Sequence, residues 1–326
     1  MFIALERKIK VFLIIIIIMA ALINSLTVNL TIRKNIYDHS VQLSQQHIKQ
    51  QNQNLRLNMN LIEETSRLIS ENPVIKESLE TTDFSDKVIP LLDSLRASNL
   101  NILGVTVYGS NGILYLSSNT YNAPKFEKVK DNFHFLNKLA EKNSYWMVRT
   151  KDIPSFYNYN SVSKTGIFTC AICIKNNHGE SLGYLFVDTN INSIYDFYKP
   201  DDSGMFYNKS SIYIITSDKK TLTSPYNPPL GIGLQLADIN MIPPFMDSSY
   251  TIEKNRKSII TYYPIPNSSD TVVIVTPLDL NSQLGTLITV LLVLGFSFVL
   301  VSFLLIKILS KSIIYPLTRL YESMQK

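Results

Sequence analysis

Ile102-Leu103-Gly104-Val105-Thr106-Val107-Tyr108-Gly109-Ser110-Asn111-Gly112-Ile113-Leu114-Tyr115-Leu116-Ser117 is the stretch whose reading decides the fold class. Its pattern has the period of two that marks strands, and Asn111-Gly112 between β-rich runs signals a hairpin. Further strands are expected over Tyr145–Thr150, Ile167–Lys175 and Leu182–Asp188, the last two joined by a turn at 176–180. A short helix should follow over Ile191–Tyr198, then a break at Lys199-Pro200-Asp201-Asp202-Ser203-Gly204. After the break the same order restarts. Ser211–Ser217, the turn Asp218-Lys219-Lys220 and Thr221–Ser224 echo 102–117, while Ser258–Ile265, the turn Pro266–Asp270 and Thr271–Thr276 echo 167–188. A repeat of order implies two α/β lobes, each built around an antiparallel sheet.

Upstream of the strands the period is different. Residues 33–72 hold no Gly and no Pro, and Val41, Ile48, Leu55, Ile62 and Ile69 recur every seventh position, with Leu61 and Leu68 widening the stripe. The expectation is one helix of ~60 Å, narrowly docked at its start and more broadly buried further on, ended by Asn72 or Pro73. One apolar position per heptad is thinner than a coiled-coil seam. A homodimer joined along this stripe is the expected assembly.

Charge locates the ends. The chain has 326 residues, 45% hydrophobic and 17% charged, where about 25% charged is usual for a soluble domain. The net charge of +5 sits entirely in 1–10 and 307–326; residues 33–283 carry 24 basic and 24 acidic side chains. A neutral middle lacks the electrostatic footprint of a nucleic-acid binder. Each basic end adjoins an apolar run. Val11–Ile23 is thirteen apolar residues continuing uncharged to Ile32, and Leu284–Ile306 is 23 residues without a charge. At 1.5 Å per residue the second spans ~35 Å, enough for a bilayer core. The positive-inside rule then places both termini in the cytoplasm and 33–283 outside the cell. The expected plan is a cytoplasmic N-terminus (1–10), a first membrane helix (11–32), an external domain (33–283) and a second membrane helix (284–306). A cytoplasmic linker, 307–326, completes it. Within the external domain the helix 33–72 carries a membrane-distal lobe, 73–199, and a membrane-proximal lobe, 200–283.

Catalytic and metal chemistry find little purchase. No hydrolase elbow, phosphate-binding glycine loop, zinc motif or EF-hand loop occurs, so no catalytic residue, metal or cofactor is assigned. Glu63-Glu64 and Asp201-Asp202 are adjacent acids, which do not face each other. Cys170 and Cys173 have Cys-x-x-Cys spacing, but on a strand they project to opposite faces with Cα atoms ~10 Å apart, too far for a disulfide. Aromatics are more informative: Tyr108, Tyr115, Tyr145, Trp146 and Tyr157 cluster in the first lobe with Arg149, a mixture suited to ligand pockets. Arg149 has the fork geometry for a carboxylate.

In arrangement, 33–282 resembles the double-Cache extracellular sensor domains of bacterial receptors, with two PAS-like lobes on one long helix. The resemblance rests on Gly183-Tyr184-Leu185-Phe186-Val187-Asp188-Thr189-Asn190-Ile191 and Ile212-Tyr213-Ile214-Ile215-Thr216-Ser217-Asp218-Lys219-Lys220. Ile313-Ile314-Tyr315-Pro316-Leu317-Thr318-Arg319-Leu320 through Met324 is similar to the opening of a HAMP linker. The resemblance implies an α/β (α+β) input module, most simply of a sensor histidine kinase. Chemoreceptors and membrane-bound AraC-type regulators are the alternative outputs. It also implies that Asp188 stands where amino-acid-binding Cache lobes meet the ligand's amine. The Tyr…Arg-x-Trp-Tyr part of that pattern is not matched, since Tyr145-Trp146 precedes Arg149. An amino acid, an organic acid, a sugar or a solute-binding protein therefore stand together as expected partners. A membrane-tethered external enzyme and a passive surface binding protein are the readings from other classes.

Overall fold

The computed structural model describes residues 2–81, 85–120, 122–132, 139, 142–150, 166–199, 210–227, 250–254 and 258–277, with scattered positions from 289 onward. Residues 43–277 form one compact unit, and 1–42 with 278–326 form a second. The fold is mixed α/β, with a long N-terminal helix and two antiparallel sheets. Helices are α1 (Phe2–Ser70), α2 (Pro73–Thr81), α3 (Ser85–Ala97), α4 (Phe126–Asn132) and α5 (Asn192–Tyr198). The first sheet holds β1 (Ile102–Gly109), β2 (Leu114–Leu116), β3 (Ser144–Arg149), β4 (Ile167–Lys175) and β5 (Ser181–Asn190). The second holds β6 (Ser211–Ile215), β7 (Thr221–Thr223), β8 (Tyr250–Lys254), β9 (Ser258–Pro264) and β10 (Thr271–Pro277). Their orders, β2-β1-β5-β4-β3 and β7-β6-β10-β9-β8, are the same order twice. The repeat read from the sequence is thus a repeat of topology.

Among the described residues no helix is long and apolar enough to cross a membrane. Most side chains of 11–32, and most residues of 284–306, lie outside the described set.

α1 ends where the next helix begins. The Asn72 side-chain oxygen accepts the Val74 N–H at 2.9 Å and its carbonyl accepts the Ile75 N–H at 3.0 Å. Asn72 is the N-cap of α2, with Pro73 at the first helical position, where a missing N–H costs nothing.

Between 43 and 70 the face that α1 buries is Ile48, Leu55, Met59, Ile62, Ser66 and Ser70. From Leu55 onward this is two inward positions per heptad. The serines fit because the Ser66 hydroxyl donates to the Ile62 carbonyl and the Ser70 hydroxyl to that of Arg67, at 2.5 and 2.8 Å. Leu61 and Leu68 do not widen this seam: with Leu57 they are 61, 66 and 67% exposed on the other side of the helix. One residue is 100° of rotation, so Leu61, next to Ile62, falls off the seam. The stripe expected to join two copies is also corrected, since Ile48, Leu55 and Ile62 are buried in this chain's own core.

That core is continuous through both sheets. It joins the α1 seam and the α2 and α3 side chains to Val105, Val107, Phe168, Leu185 and Val187 of the first sheet. It extends to Ile194 and Tyr195 of α5 and to Ile212, Ile214, Val272 and Ile274 of the second sheet. Glu63 anchors α1 to the first sheet, accepting from the Ser144 hydroxyl and, at 3.3 Å, from the Trp146 indole N–H.

The sheets meet directly as well. β3 is an edge strand of the first sheet, and an edge left open is a liability. The β9–β10 turn covers it: the Trp146 N–H donates to the Asn267 carbonyl at 2.8 Å, and Trp146 bridges to Ser268. β1 and β5 approach so closely that a Cβ on Gly183 would lie 2.2 Å from the Tyr108 carbonyl oxygen, so only glycine fits.

Two substitutions on α1 separate its faces. Leu55→Ala removes a buried side chain and should cost about 2–5 kcal/mol. Leu61→Ala, one helical face away, should stay within about 0.5 kcal/mol of wild type when both are unfolded as monomers. Urea unfolding of both variants checks the assignment, and equal losses would contradict it.

Candidate functional site

Three charged side chains are buried among the described residues: Arg149, Asp188 and Asp270. Burying a charge is costly unless it is paired and hydrogen-bonded, so each marks a place where the fold holds specific chemistry. Two of them meet on the first sheet.

Strand alternation sorts that sheet into two faces. Trp146 and Val148 of β3, Phe168 and Cys170 of β4, and Leu185 and Val187 of β5 point toward α1. The outer face takes their neighbours: Tyr145, Met147 and Arg149; Thr169 and Ala171; Phe186 and Asp188; and Tyr108 of β1. On it the Arg149 guanidinium Nη1 lies 3.3 Å from Asp188 Oδ1, and both side chains are 1% exposed. Thr169, directly across from Asp188 on β4, donates its hydroxyl to the same oxygen at 2.7 Å. The Arg149 guanidinium also sits 5.6 Å over the Phe186 ring, at cation–π distance.

Aromatic rings wall this pair. Tyr108 meets Phe186 edge-on at 5.2 Å and Phe126 of α4 at 5.4 Å, while Phe126 stacks on Tyr184 at 5.3 Å. The Tyr108 hydroxyl is anchored on the Pro124 carbonyl at 3.2 Å. The Thr106 hydroxyl, on the same face of β1, is buried with no hydrogen-bond partner among the described residues. A cation, an anion, hydroxyls and aromatic walls on one face can receive a small molecule bearing both charges. The guanidinium suits a carboxylate, and the Asp188 carboxylate suits an ammonium group.

Among the described residues the second sheet shows no buried ion pair on its outer face. Its outer face is Tyr213, Ile215, Ile260, Tyr262, Val273 and Val275. A cavity of about 350 Å³ beside α1 is lined by Glu63, Arg67, Glu71, Lys76 and Lys175. Its Arg67 already pairs with Glu64 and Glu71 at 2.6 and 3.5 Å, in exposed contacts that count for little. No group of three metal-ligating side chains occurs among the described residues. Cys170 is buried with its thiol pKa pushed up by desolvation, and Cys173 is free on the opposite face of β4.

Of the residues expected at a site, Asp188, Arg149, Tyr108 and Tyr145 share the outer face. The structure parts Trp146 and Tyr115 from them. Trp146 stacks on Phe168 at 4.6 Å in the α1-side core, and the Tyr115 hydroxyl donates to the Ser78 carbonyl at 3.1 Å on that same side. The reason is the pleat, which sends Tyr145 and Trp146 to opposite faces. Tyr157 lies outside the described residues. Thr169 and Phe186 belong to the site and were not singled out from the sequence; the alternation of β4 and β5 around Asp188 was the available signal.

No family model matches the chain, and no curated protein matches it. Solved structures similar in arrangement are ligand-binding domains of chemoreceptors. That of Campylobacter jejuni Tlp3 in complex with L-norvaline is 16% identical, with a TM-score of 0.49, covering 78% of this chain and 94% of that one. That of Pseudomonas fluorescens CtaA in complex with L-isoleucine is 15% identical, with a TM-score of 0.48, covering 78% and 97%. That of Pseudomonas aeruginosa PctC in complex with GABA is 12% identical, with a TM-score of 0.44, covering 71% and 94%.

The buried pair predicts a coupled cost. Arg149→Met or Asp188→Leu alone takes the 3.3 Å ion pair from a buried charge and should destabilise by about 3–5 kcal/mol. The double variant should recover most of that loss. Urea unfolding of the three variants measures the coupling, and strictly additive losses would show that the two charges do not depend on each other.

Proposed function

We propose that this chain is the ligand-sensing input module of a transmembrane receptor, and that it receives a small zwitterion such as an amino acid on the outer face of the first sheet. The observation that carries the reading is the fully buried Arg149–Asp188 pair, set among aromatic rings on the face that α1 leaves uncovered. A ligand carboxylate would take the guanidinium, and a ligand ammonium would take Asp188.

The membrane plan belongs to this proposal and rests on sequence. Val11–Ile32 and Leu284–Ile306 would cross the bilayer, with both termini cytoplasmic and 33–283 outside. The HAMP-like opening at 313–324 supports a cytoplasmic output, a histidine kinase or a chemoreceptor signalling rod. Ligand can move such a receptor only through differential affinity for its states; a hundredfold preference is worth ~2.7 kcal/mol. We assign dimerisation to the exposed α1 leucines, Leu57, Leu61 and Leu68.

A thermal-shift screen of the purified chain against amino acids, organic acids and sugars tests the reading. At a hundredfold excess over Kd the expected stabilisation is about 2.7 kcal/mol. It should come from an amino acid and vanish in the Arg149→Met/Asp188→Leu double variant, whose folding the urea series above checks. A shift that survives in that variant places the ligand elsewhere. For the dimer, single cysteines at 57, 61 or 68 should cross-link in membranes, whereas cysteines at 48 or 62 should not; the reverse pattern overturns the assignment.

A further inference from the structure

The third buried charge, Asp270, lies far from the Arg149–Asp188 pair in sequence but is tied to it through one strand. It closes the β9–β10 turn of the second lobe and is 3% exposed. Its Oδ2 accepts the Val148 N–H of β3 at 2.7 Å and the Ser268 hydroxyl at 3.1 Å. Its Oδ1 accepts the Ser217 N–H of the β6–β7 turn at 2.9 Å. Val148 belongs to the first sheet and immediately precedes Arg149; Ser217 belongs to the second lobe. The Tyr145 hydroxyl, donating to the Ser269 hydroxyl at 3.0 Å, adds a contact beside it.

We propose that Asp270 is a clasp that positions β3, and with it Arg149, against the second lobe: one carboxylate holds an amide of each lobe on a different oxygen. A displacement of Arg149 by ligand would then be delivered through Val148 and Asp270 to Ser217. This transmission role rests on the sensor reading above. The geometry of the clasp does not.

Two oxygens are needed, because both amides donate. Asparagine offers one acceptor and would set its own N–H groups against a backbone donor. Protonation does the same in a milder form, since a proton on one oxygen removes an acceptor. Burial, helped by nearby Asp218, outweighs the three hydrogen bonds that favour the charged form and pushes the Asp270 carboxyl up to about 6. Among the described residues the charged groups on the elements packed against it are Asp218, Lys219 and Lys220 on the β6–β7 turn, where Lys220 pairs with Asp218, and Arg149, paired with Asp188, on β3. Among the described residues its own turn contributes only Asn267, Ser268 and Ser269, which carry no charge. Oδ2 has two donors and Oδ1 one, so the proton belongs on Oδ1 and the amide it releases is that of Ser217. A carboxyl whose folded pKa lies above the unfolded ~3.9 is favoured neutral in the fold. Stability from this group is complete below about pH 4 and is lost as pH rises through about 6.

Hydrogen exchange on the full chain, read as protection factors corrected for intrinsic rate, tests the clasp without any ligand. Asp270→Asn should lower protection at Val148 or Ser217 about tenfold or more, the loss of one charge-assisted hydrogen bond, while Val273 in the second sheet stays protected. In the wild type, Ser217 alone should lose protection between pH 7.5 and 5, and Asp218→Asn should move that midpoint to lower pH. Should Asp270→Asn fail to fold, the wild-type pH series and Asp218→Asn decide the matter. Loss confined to the 265–270 turn, or protection at Ser217 unchanged across pH 6, overturns the clasp. With an amino-acid mixture as probe, ligand should alter Ser217 exchange in the wild type and not in Asp270→Asn; an equal response in both overturns the transmission role. If no amino acid produces a thermal shift, the sensor reading fails while the ligand-free exchange results still judge the clasp.

Discussion

The inward seam of α1 is the constraint on which the rest of residues 43–277 depends. Ile48, Leu55, Met59 and Ile62 supply one wall of a core whose other walls are the inner faces of both sheets. A sheet of five short strands cannot protect both faces by itself, and among the described residues neither lobe has a helix of comparable length to use instead. Because the same helix serves both, the lobes are parts of one hydrophobic structure. Any shift of one sheet on α1 is therefore felt by the other.

With the inner faces committed to α1, the outer faces are where the lobes differ. The first sheet places a buried ion pair there, among aromatic rings, and carries a threonine on each side of Asp188's neighbourhood. The second sheet presents tyrosine, isoleucine and valine in the corresponding layer. The same topology carries a buried ion pair on one outer face and, among the described residues, an apolar cluster on the other. The joint between them is made where the open edge of β3 is covered by the β9–β10 turn, beside Arg149 rather than at a distance from it.

Much of this was legible in the residues. Hairpins at 102–117 and 211–224 announce themselves through period-two patterning with polar turns, and the doubled order revealed the doubled sheet. Arg149 is marked in the sequence by the aromatics around it, and Asp188 by the resemblance of 183–191 to the closing strand of a Cache lobe. What stayed hidden has physical causes. Ser66 and Ser70 join the α1 seam by bonding to their own helix, so the seam looked half as dense as it is. Trp146 was grouped with Tyr145 by proximity, although adjacent strand residues face opposite ways. The partnership of Thr169 with Asp188 depends on the β4–β5 register, and that of Asp270 with Val148 on how two lobes meet; neither is written in local sequence.

The central claim is that the outer face of the first sheet is where this chain meets its ligand. Hydrogen exchange of the intact chain with and without a millimolar amino-acid mixture tests it most directly. The account predicts slowed exchange in β3, β4 and β5 around Arg149, Thr169 and Asp188. Slowed exchange confined to the charged cleft at Glu63, Arg67 and Lys175, or none anywhere in the two sheets, would contradict it.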